Sequence, residues 1–112
     1  MRFLSMIRVD ERAGQVPSDQ LMQDMGKLMD EMTRAGVLVR TAGLRPSAEG
    51  RRVRLRKGQI STIDGPFSET KEVIGGFFLI EEPNLEAAMA TSKDCPHLKY
   101  KGTVEVREIN PH

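Results

Sequence analysis

The segment IDGPFSETKEVIGGFF, residues 63–78, joins a rigid turn, four ionisable side chains and three glycines to the start of an apolar strand. Its Gly65-Pro66 pair favours a tight turn, because proline restricts φ and glycine tolerates backbone conformations that other residues avoid. Asp64 stands before the turn and a cluster of alternating charge follows it. A segment that only connected two strands would need none of these features, so we predict a functional site here.

The segments on either side of this stretch predict an α+β domain. Apolar and polar residues alternate over 3–9, which is typical of a strand. From Asp19 to Ala35, leucine and methionine recur at helical spacing, with Ser18 as N-cap and Gly36 at the end. The remaining predicted elements are a strand at 37–44, a hairpin of strands 51–56 and 59–63 around Lys57-Gly58, a strand at 75–81, a short helix from about Asn84 that ends at Cys95-Pro96, and a strand at 103–109.

The order of these elements contains a split β-α-β repeat with an inserted β-hairpin, which is a ferredoxin-like layout. A chain of 112 residues fits one domain, which we place at 1–112. Two helices cover only one face of a four-stranded antiparallel sheet. Leu4, Met6, Phe78 and Ile80, or their alternates, make both faces of the central strands apolar. We therefore predict a homodimer that covers the open sheet face by isologous packing.

Composition narrows the classes of partner. The 17 basic and 16 acidic residues nearly cancel, which argues against a protein that wraps nucleic acid or coats an anionic membrane. The hairpin is rich in arginine but lacks stacking aromatics, which also disfavours nucleic acid. The apolar runs are too short to span a bilayer, and a single cysteine is compatible with a reducing compartment. We expect a cytoplasmic protein without a membrane segment.

No cofactor or metal is indicated by the sequence. Neither a phosphate-binding loop nor a dinucleotide fingerprint is present. Cys95 and His97 lack the further ligands that a closed zinc site requires. Cys95 itself is expected to be a buried residue at a helix end rather than a nucleophile, because no neighbouring base in the sequence activates it.

Five elements occur in order and together identify a family resemblance: TIDGPF at 62–67, ETKE at 69–72, GGF at 75–77, Cys95-Pro96, and VEVR at 104–107. Together they are similar to the DGPF group of YCII-related proteins, over essentially the whole chain. The resemblance implies a dimeric α/β-barrel fold, related to muconolactone isomerases, without a settled activity. It also implies a frequent association with alternative sigma factors. The wider group is discussed as enzymes with a His and Asp pair, but His97 and His112 both lie too late in this chain to match that pattern.

The charged residues near the turn each have two interpretations. Asp64 either caps the turn by accepting backbone hydrogen bonds, or borders a pocket partly closed to water and acts as a general base. Glu69 and Lys71 share a face of an extended segment. They form either a solvated surface pair of little energetic value, or a site in which Lys71 binds a carboxylate and Glu69 helps to relay a proton.

Two further residues are candidates for ligand binding. Arg107 shares one face of the last strand with Glu105, where a cross-strand ion pair is the ordinary explanation. A guanidinium can also grip a carboxylate with two hydrogen bonds, which makes Arg107 a candidate for anion binding. Phe67 is either a core residue or a platform for a substrate.

Two functions remain open from the sequence. The first is a dimeric module that binds a small anionic ligand for sensing or regulation, linked by the resemblance to an alternative sigma factor. The alternative is a cofactor-free enzyme of lyase or isomerase type, with Asp64 as proton acceptor and Lys71 or Arg107 holding an anionic substrate. The lack of a suitably placed histidine favours the first.

Overall fold

The computed structural model of the protein describes residues 1–11, 18–67, 72–100 and 102–111. These residues contain six strands and two α-helices, in the predicted order. In chain order they are β1 (Arg2–Val9), α1 (Asp19–Arg34), β2 (Leu38–Gly43), β3 (Arg51–Arg56), β4 (Gln59–Asp64), β5 (Val73–Glu81), α2 (Leu85–Ser92) and β6 (Thr103–Glu108). The prediction of an α+β protein is confirmed.

Four of the strands form one sheet, in the order β2-β5-β1-β6, which we refer to as the main sheet. Every neighbouring pair of strands in it is antiparallel. The sheet does not close on itself, because β2 and β6 are its outer strands in the described part of the chain. The other two strands, β3 and β4, pair only with each other as a hairpin. The chain therefore contains an open four-stranded sheet and a hairpin that is not part of that sheet.

The helix ends follow the predicted signals. The Ser18 hydroxyl accepts a hydrogen bond from the Leu21 amide at 3.1 Å, and the Asn84 side chain accepts one from the Ala87 amide at 2.8 Å. Each bond satisfies an amide that has no partner within its own helix. Gly36 follows α1 with a φ of 73°, a conformation in which glycine avoids the strain that a side chain would cause. Neither described helix has the combined length and hydropathy needed to cross a membrane.

Both helices pack on the same face of the main sheet. The core on this face is formed by Phe3, Ile7, Phe78 and Ile80 from the strands, and by Leu28, Met32, Ala88 and Cys95 from the helices and the turn after α2. The buried hydroxyls of Ser5 and Ser92 lie 3.0 Å apart and share a hydrogen bond, so these polar groups do not remain unsatisfied inside the core. The predicted burial of Cys95 is confirmed.

The opposite face of the main sheet has no covering element among the described residues. Its centre is formed by two directly opposed pairs on β1 and β5, Leu4 with Leu79 and Met6 with Phe77. Arg107 lies opposite Leu4 and Glu105 lies opposite Met6, which places both on this open face. The sheet is therefore apolar at its centre on both faces, with Phe78 and Ile80 on the helix side.

The hairpin turns at Lys57 and Gly58, which have φ angles of 50° and 75°. Two successive positive φ values are characteristic of the tight turns that match the twist of paired strands. The Leu44 amide donates to the Gly75 carbonyl at 2.9 Å. The chain therefore leaves the main sheet before the hairpin and rejoins it afterwards at neighbouring points.

Candidate functional site

The turn at Gly65-Pro66 is held against the short 3-10 helical segment Ser47–Glu49. The Gly65 amide donates to the Gly50 carbonyl at 2.9 Å, and the Phe67 amide donates to the Ser47 hydroxyl at 3.3 Å. A Cβ atom at position 65 would overlap the Ser47 carbonyl oxygen. Glycine is therefore required here by the close approach of two backbone segments, and the turn sets the position of Phe67.

Ser47 also connects this turn to Glu11, which follows β1 in the chain. Its amide donates to one carboxylate oxygen of Glu11 at 2.8 Å, and its hydroxyl donates to the other. Glu11, Ser47 and Phe67 thus form a continuous hydrogen-bonded link. Sequence reasoning did not select Ser47 or Glu11, because 36 residues separate them and no local pattern relates them.

A cavity of about 650 Å³ lies on the open side of the main sheet, between the sheet and the base of the hairpin. We refer to it as the sheet-face cavity. Phe67 and Arg107 both line it, together with Arg8 and Arg52. Two of the predicted ligand-binding residues, from distant parts of the sequence, are therefore brought to one cavity.

The arginines that line the sheet-face cavity differ in the partners that they contact. Arg8 forms an ion pair with Glu105 at 2.9 Å, and Arg45 forms one with Glu49 at 3.1 Å. The guanidinium carbon of Arg52 lies 3.8 Å from the centroid of the Phe67 ring, a cation–π contact.

Arg107 forms no ion pair or side-chain hydrogen bond within the described ranges. It shares the open sheet face with Glu105, but Glu105 is paired with Arg8. The cavity therefore contains a guanidinium that is available to a ligand.

The other predicted site residues are placed differently. Asp64 lies at the end of β4, is 77% exposed, and forms an ion pair with Arg51 at 3.2 Å. It lines neither of the two large cavities. The predicted roles of Glu69 and Lys71 cannot be placed, since both residues lie outside the described residues. Asp64 as a general base remains a prediction, but the described residues do not surround it with the closed pocket that such a role assumes.

A second cavity, of about 560 Å³, lies on the helix side of the sheet end. We refer to it as the helix-side cavity. Its walls include Val9, Leu21 and His97. Burial lowers the pKa of His97 below its ordinary value, which keeps the imidazole neutral at pH 7. The sequence analysis considered His97 as a metal ligand and as the histidine of a His and Asp pair, and selected it for neither. Its place in this cavity could not be predicted, because α1 and the turn after α2 meet only in the fold.

Two kinds of chemistry have no structural support in the described residues. Burial raises the pKa of the Cys95 thiol, which makes this residue a poor nucleophile. No group of three or more His, Cys, Asp or Glu side chains is arranged to hold a metal ion in the part of the chain that the structure describes.

Comparison with known proteins identifies a matching family and a similar protein. The model of a family described as the YCII-related domain matches residues 1–112. The chain is also similar to an uncharacterized protein of Rhizobium meliloti (strain 1021), with 32% identity over 92 residues, which cover 81% of this chain and 74% of that protein.

Proposed function

This chain belongs to the YCII-related family, and we propose that it binds a small carboxylate with an apolar body in the sheet-face cavity, as a sensing or regulatory module. The observation that carries the proposal is the position of Arg107. Its guanidinium lines the cavity and has no protein partner in the described residues. A guanidinium can hold both oxygens of a carboxylate with parallel hydrogen bonds.

The charge of the cavity supports an anionic ligand. Four arginines and three glutamates line it, and two of the arginines are neutralised by Glu49 and Glu105. Arginines thus outnumber glutamates among the residues that line the cavity, which favours an anionic ligand over a cationic one.

The remaining walls support an apolar body on the ligand. Phe67, Met6, Val73 and Ile74 line the same cavity as Arg107. Contact with these side chains removes apolar ligand surface from water, which contributes to affinity in proportion to the buried area. Small aromatic carboxylates combine both required features.

We also propose that two chains pack through the open sheet face. The pairs Leu4 with Leu79 and Met6 with Phe77 form an apolar centre for such an interface. The strand order β2-β5-β1-β6 supports the ferredoxin-like layout on which a dimeric barrel is built. Because the sheet-face cavity shares this face, a second copy would also limit its access to water and strengthen the charge interaction with a ligand.

The proposal is tested by calorimetric titration of benzoate into the wild type and Arg107→Ala. We expect benzoate to bind the wild type, and the substitution to weaken binding by about ten- to a hundredfold, because a hydrogen bond to a charged group contributes roughly 1.5–3 kcal/mol. Benzyl alcohol, which keeps the ring but lacks the charge, is expected to bind the wild type more weakly than benzoate does.

Arg56→Ala is the matched control, since Arg56 is exposed and lines neither large cavity. It should leave the affinity for benzoate unchanged. Equal affinities of the wild type and Arg107→Ala, or an equal loss in Arg56→Ala, would contradict the proposed site.

Asp64→Asn distinguishes this proposal from the enzymatic alternative. Asp64 is exposed and paired with Arg51, so the substitution is expected to leave benzoate binding unchanged. A lyase or isomerase with Asp64 as general base would instead require this carboxylate beside the bound molecule. A large change in benzoate affinity in Asp64→Asn would favour that alternative.

A further inference from the structure

The helix-side cavity has the dimensions and walls of a binding site for a small molecule. Its volume of about 560 Å³ lies within the range of known ligand pockets. Leu21, Leu44 and Ile74 contribute apolar walls. Leu44 and Ile74 are also among the large apolar side chains that remain exposed, so an occupant would remove their surface from water.

The polar groups of this cavity differ in their availability. Glu11 already accepts two hydrogen bonds from Ser47, and Asp10 is also engaged. The imidazole of His97 forms no hydrogen bond or ion pair in the described part of the chain. A neutral imidazole carries one donor nitrogen and one acceptor nitrogen. Ser18, in the same wall, uses its hydroxyl oxygen to accept a hydrogen bond from the Leu21 amide. His97 therefore offers a ligand both a donor and an acceptor.

The net charge of the walls argues against an anion. Asp10 and Glu11 line the cavity, and Arg45, the one arginine among the described residues of its wall, is paired with Glu49. A carboxylate bound here would lie near the carboxylates of Asp10 and Glu11, and the described residues of the wall supply no unpaired cation beside them. The helix-side cavity thus differs from the sheet-face cavity in the sign of the charge that would suit a ligand. Four residues nevertheless line both cavities: Leu44, Arg45, Pro46 and Ile74.

We infer that the helix-side cavity is a second binding site, which takes a small neutral molecule with an apolar ring or chain and one hydroxyl or amide that pairs with His97. The two sites are separable by residue. Leu21, Ala48 and His97 line only the helix-side cavity, whereas Phe67 and Arg107 line only the sheet-face cavity.

The site is tested with phenol, which is neutral at pH 7 and carries one hydroxyl, by a two-dimensional amide NMR titration of the full chain. We expect phenol to shift the amide signals of Val9, Leu21 and His97, while benzoate shifts those of Phe67 and Arg107. Toluene, which has the ring without the hydroxyl, is expected to bind more weakly than phenol by about three- to tenfold, the equivalent of one neutral hydrogen bond.

Two variants test the contacts. His97→Ala is expected to reduce phenol affinity to that of toluene, and His97→Gln, which retains a donor and an acceptor, is expected to restore most of it. Ala48→Trp places a large ring in the cavity wall and should abolish phenol binding. Ala90→Trp is the control, since Ala90 is exposed on α2 and lines neither large cavity.

Several results would overturn this inference. They are an absence of phenol binding, phenol shifts centred on Phe67 and Arg107, or phenol affinity unchanged in both His97→Ala and Ala48→Trp. Amide shifts around His97 that grow with protein concentration alone would show that a second copy of the chain occupies the cavity. Benzoate affinity is expected to persist in Ala48→Trp, so failure of this site leaves the test of the sheet-face cavity intact.

Discussion

Apolar residues alternate along the strands of both the main sheet and the hairpin, but they are buried on the helix side of the main sheet and exposed in the hairpin. In β1, Phe3 is 0% exposed, whereas in β3 the equivalent apolar position Leu55 is 69% exposed, and its partner Ile60 in β4 is 75% exposed. Alternation decides which side chains share a face of a strand. Whether that face is buried depends on a covering element, which the two helices supply for the main sheet only.

The hairpin also depends on the rest of the molecule for its position. Two strands alone are marginally stable in water, and β3 and β4 have no further strand beside them in the described residues. Their base is held by the Gly65 amide on the Gly50 carbonyl, with Phe67 under the Arg52 guanidinium. Because the main sheet is covered by helices and the hairpin is held only at its base, we expect substitutions in the two regions to change the free energy of unfolding by different amounts.

The largest expected effect is at the covered face of the main sheet. Phe3→Ala removes a fully buried ring from the core, and we expect the free energy of unfolding to fall by about 3–5 kcal/mol, since the lost apolar burial is added to the cost of a cavity. Urea denaturation followed by circular dichroism measures this change. A loss below about 1 kcal/mol would mean that the core can refill the space, and would weaken the contrast with the hairpin.

An intermediate effect is expected where the hairpin is anchored. Gly65→Ala forces a methyl group against the Ser47 carbonyl, and we expect a loss of about 1–3 kcal/mol, as for other overpacked positions. The same denaturation experiment applies. Gly43→Ala is the control, because a Cβ there meets no heavy atom within 4 Å. Equal stability of the two variants would contradict the anchoring role of the turn.

The smallest effect is expected on the uncovered face of the hairpin. Leu55→Ser replaces an exposed apolar side chain, and the free energy of unfolding should change by no more than about 0.5 kcal/mol, as is usual for surface positions. Denaturation at two protein concentrations checks this result. A larger loss that depends on concentration would show that a second copy covers this face, and the contrast between the two regions would then hold only within one chain.

The elements of the fold could be predicted because each is specified by neighbouring residues. The caps Ser18 and Asn84, the turn at Lys57-Gly58 and the alternation in β1 all act within a few positions, and each appears as expected. Gly26 shows the limit of such reasoning. A glycine inside a helix such as α1 is consistent with either close packing or simple tolerance, and the open space around Gly26 indicates tolerance.

The candidate site was only partly predictable. Phe67 and Arg107 were selected as residue types that suit a ligand, and both line one cavity. Asp64 was selected from its place beside the turn. The sequence alone does not predict that the Asp64 carboxylate is exposed to solvent and paired with Arg51. Ser47 and His97 were missed as site residues, because their roles arise from contacts between segments that are distant along the chain.

The hydrogen bond from Leu44 to Gly75 has a consequence for how this chain can vary. The segment between these residues departs from β2 and returns to β5 at points that the main sheet already holds together. Closing a longer loop costs only about 0.6 kcal/mol for each doubling of its length. The segment that contains the hairpin could thus be extended, shortened or exchanged while the main sheet and its helix-side core stay the same. Related chains could in this way differ in their ligand pocket and keep the same fold.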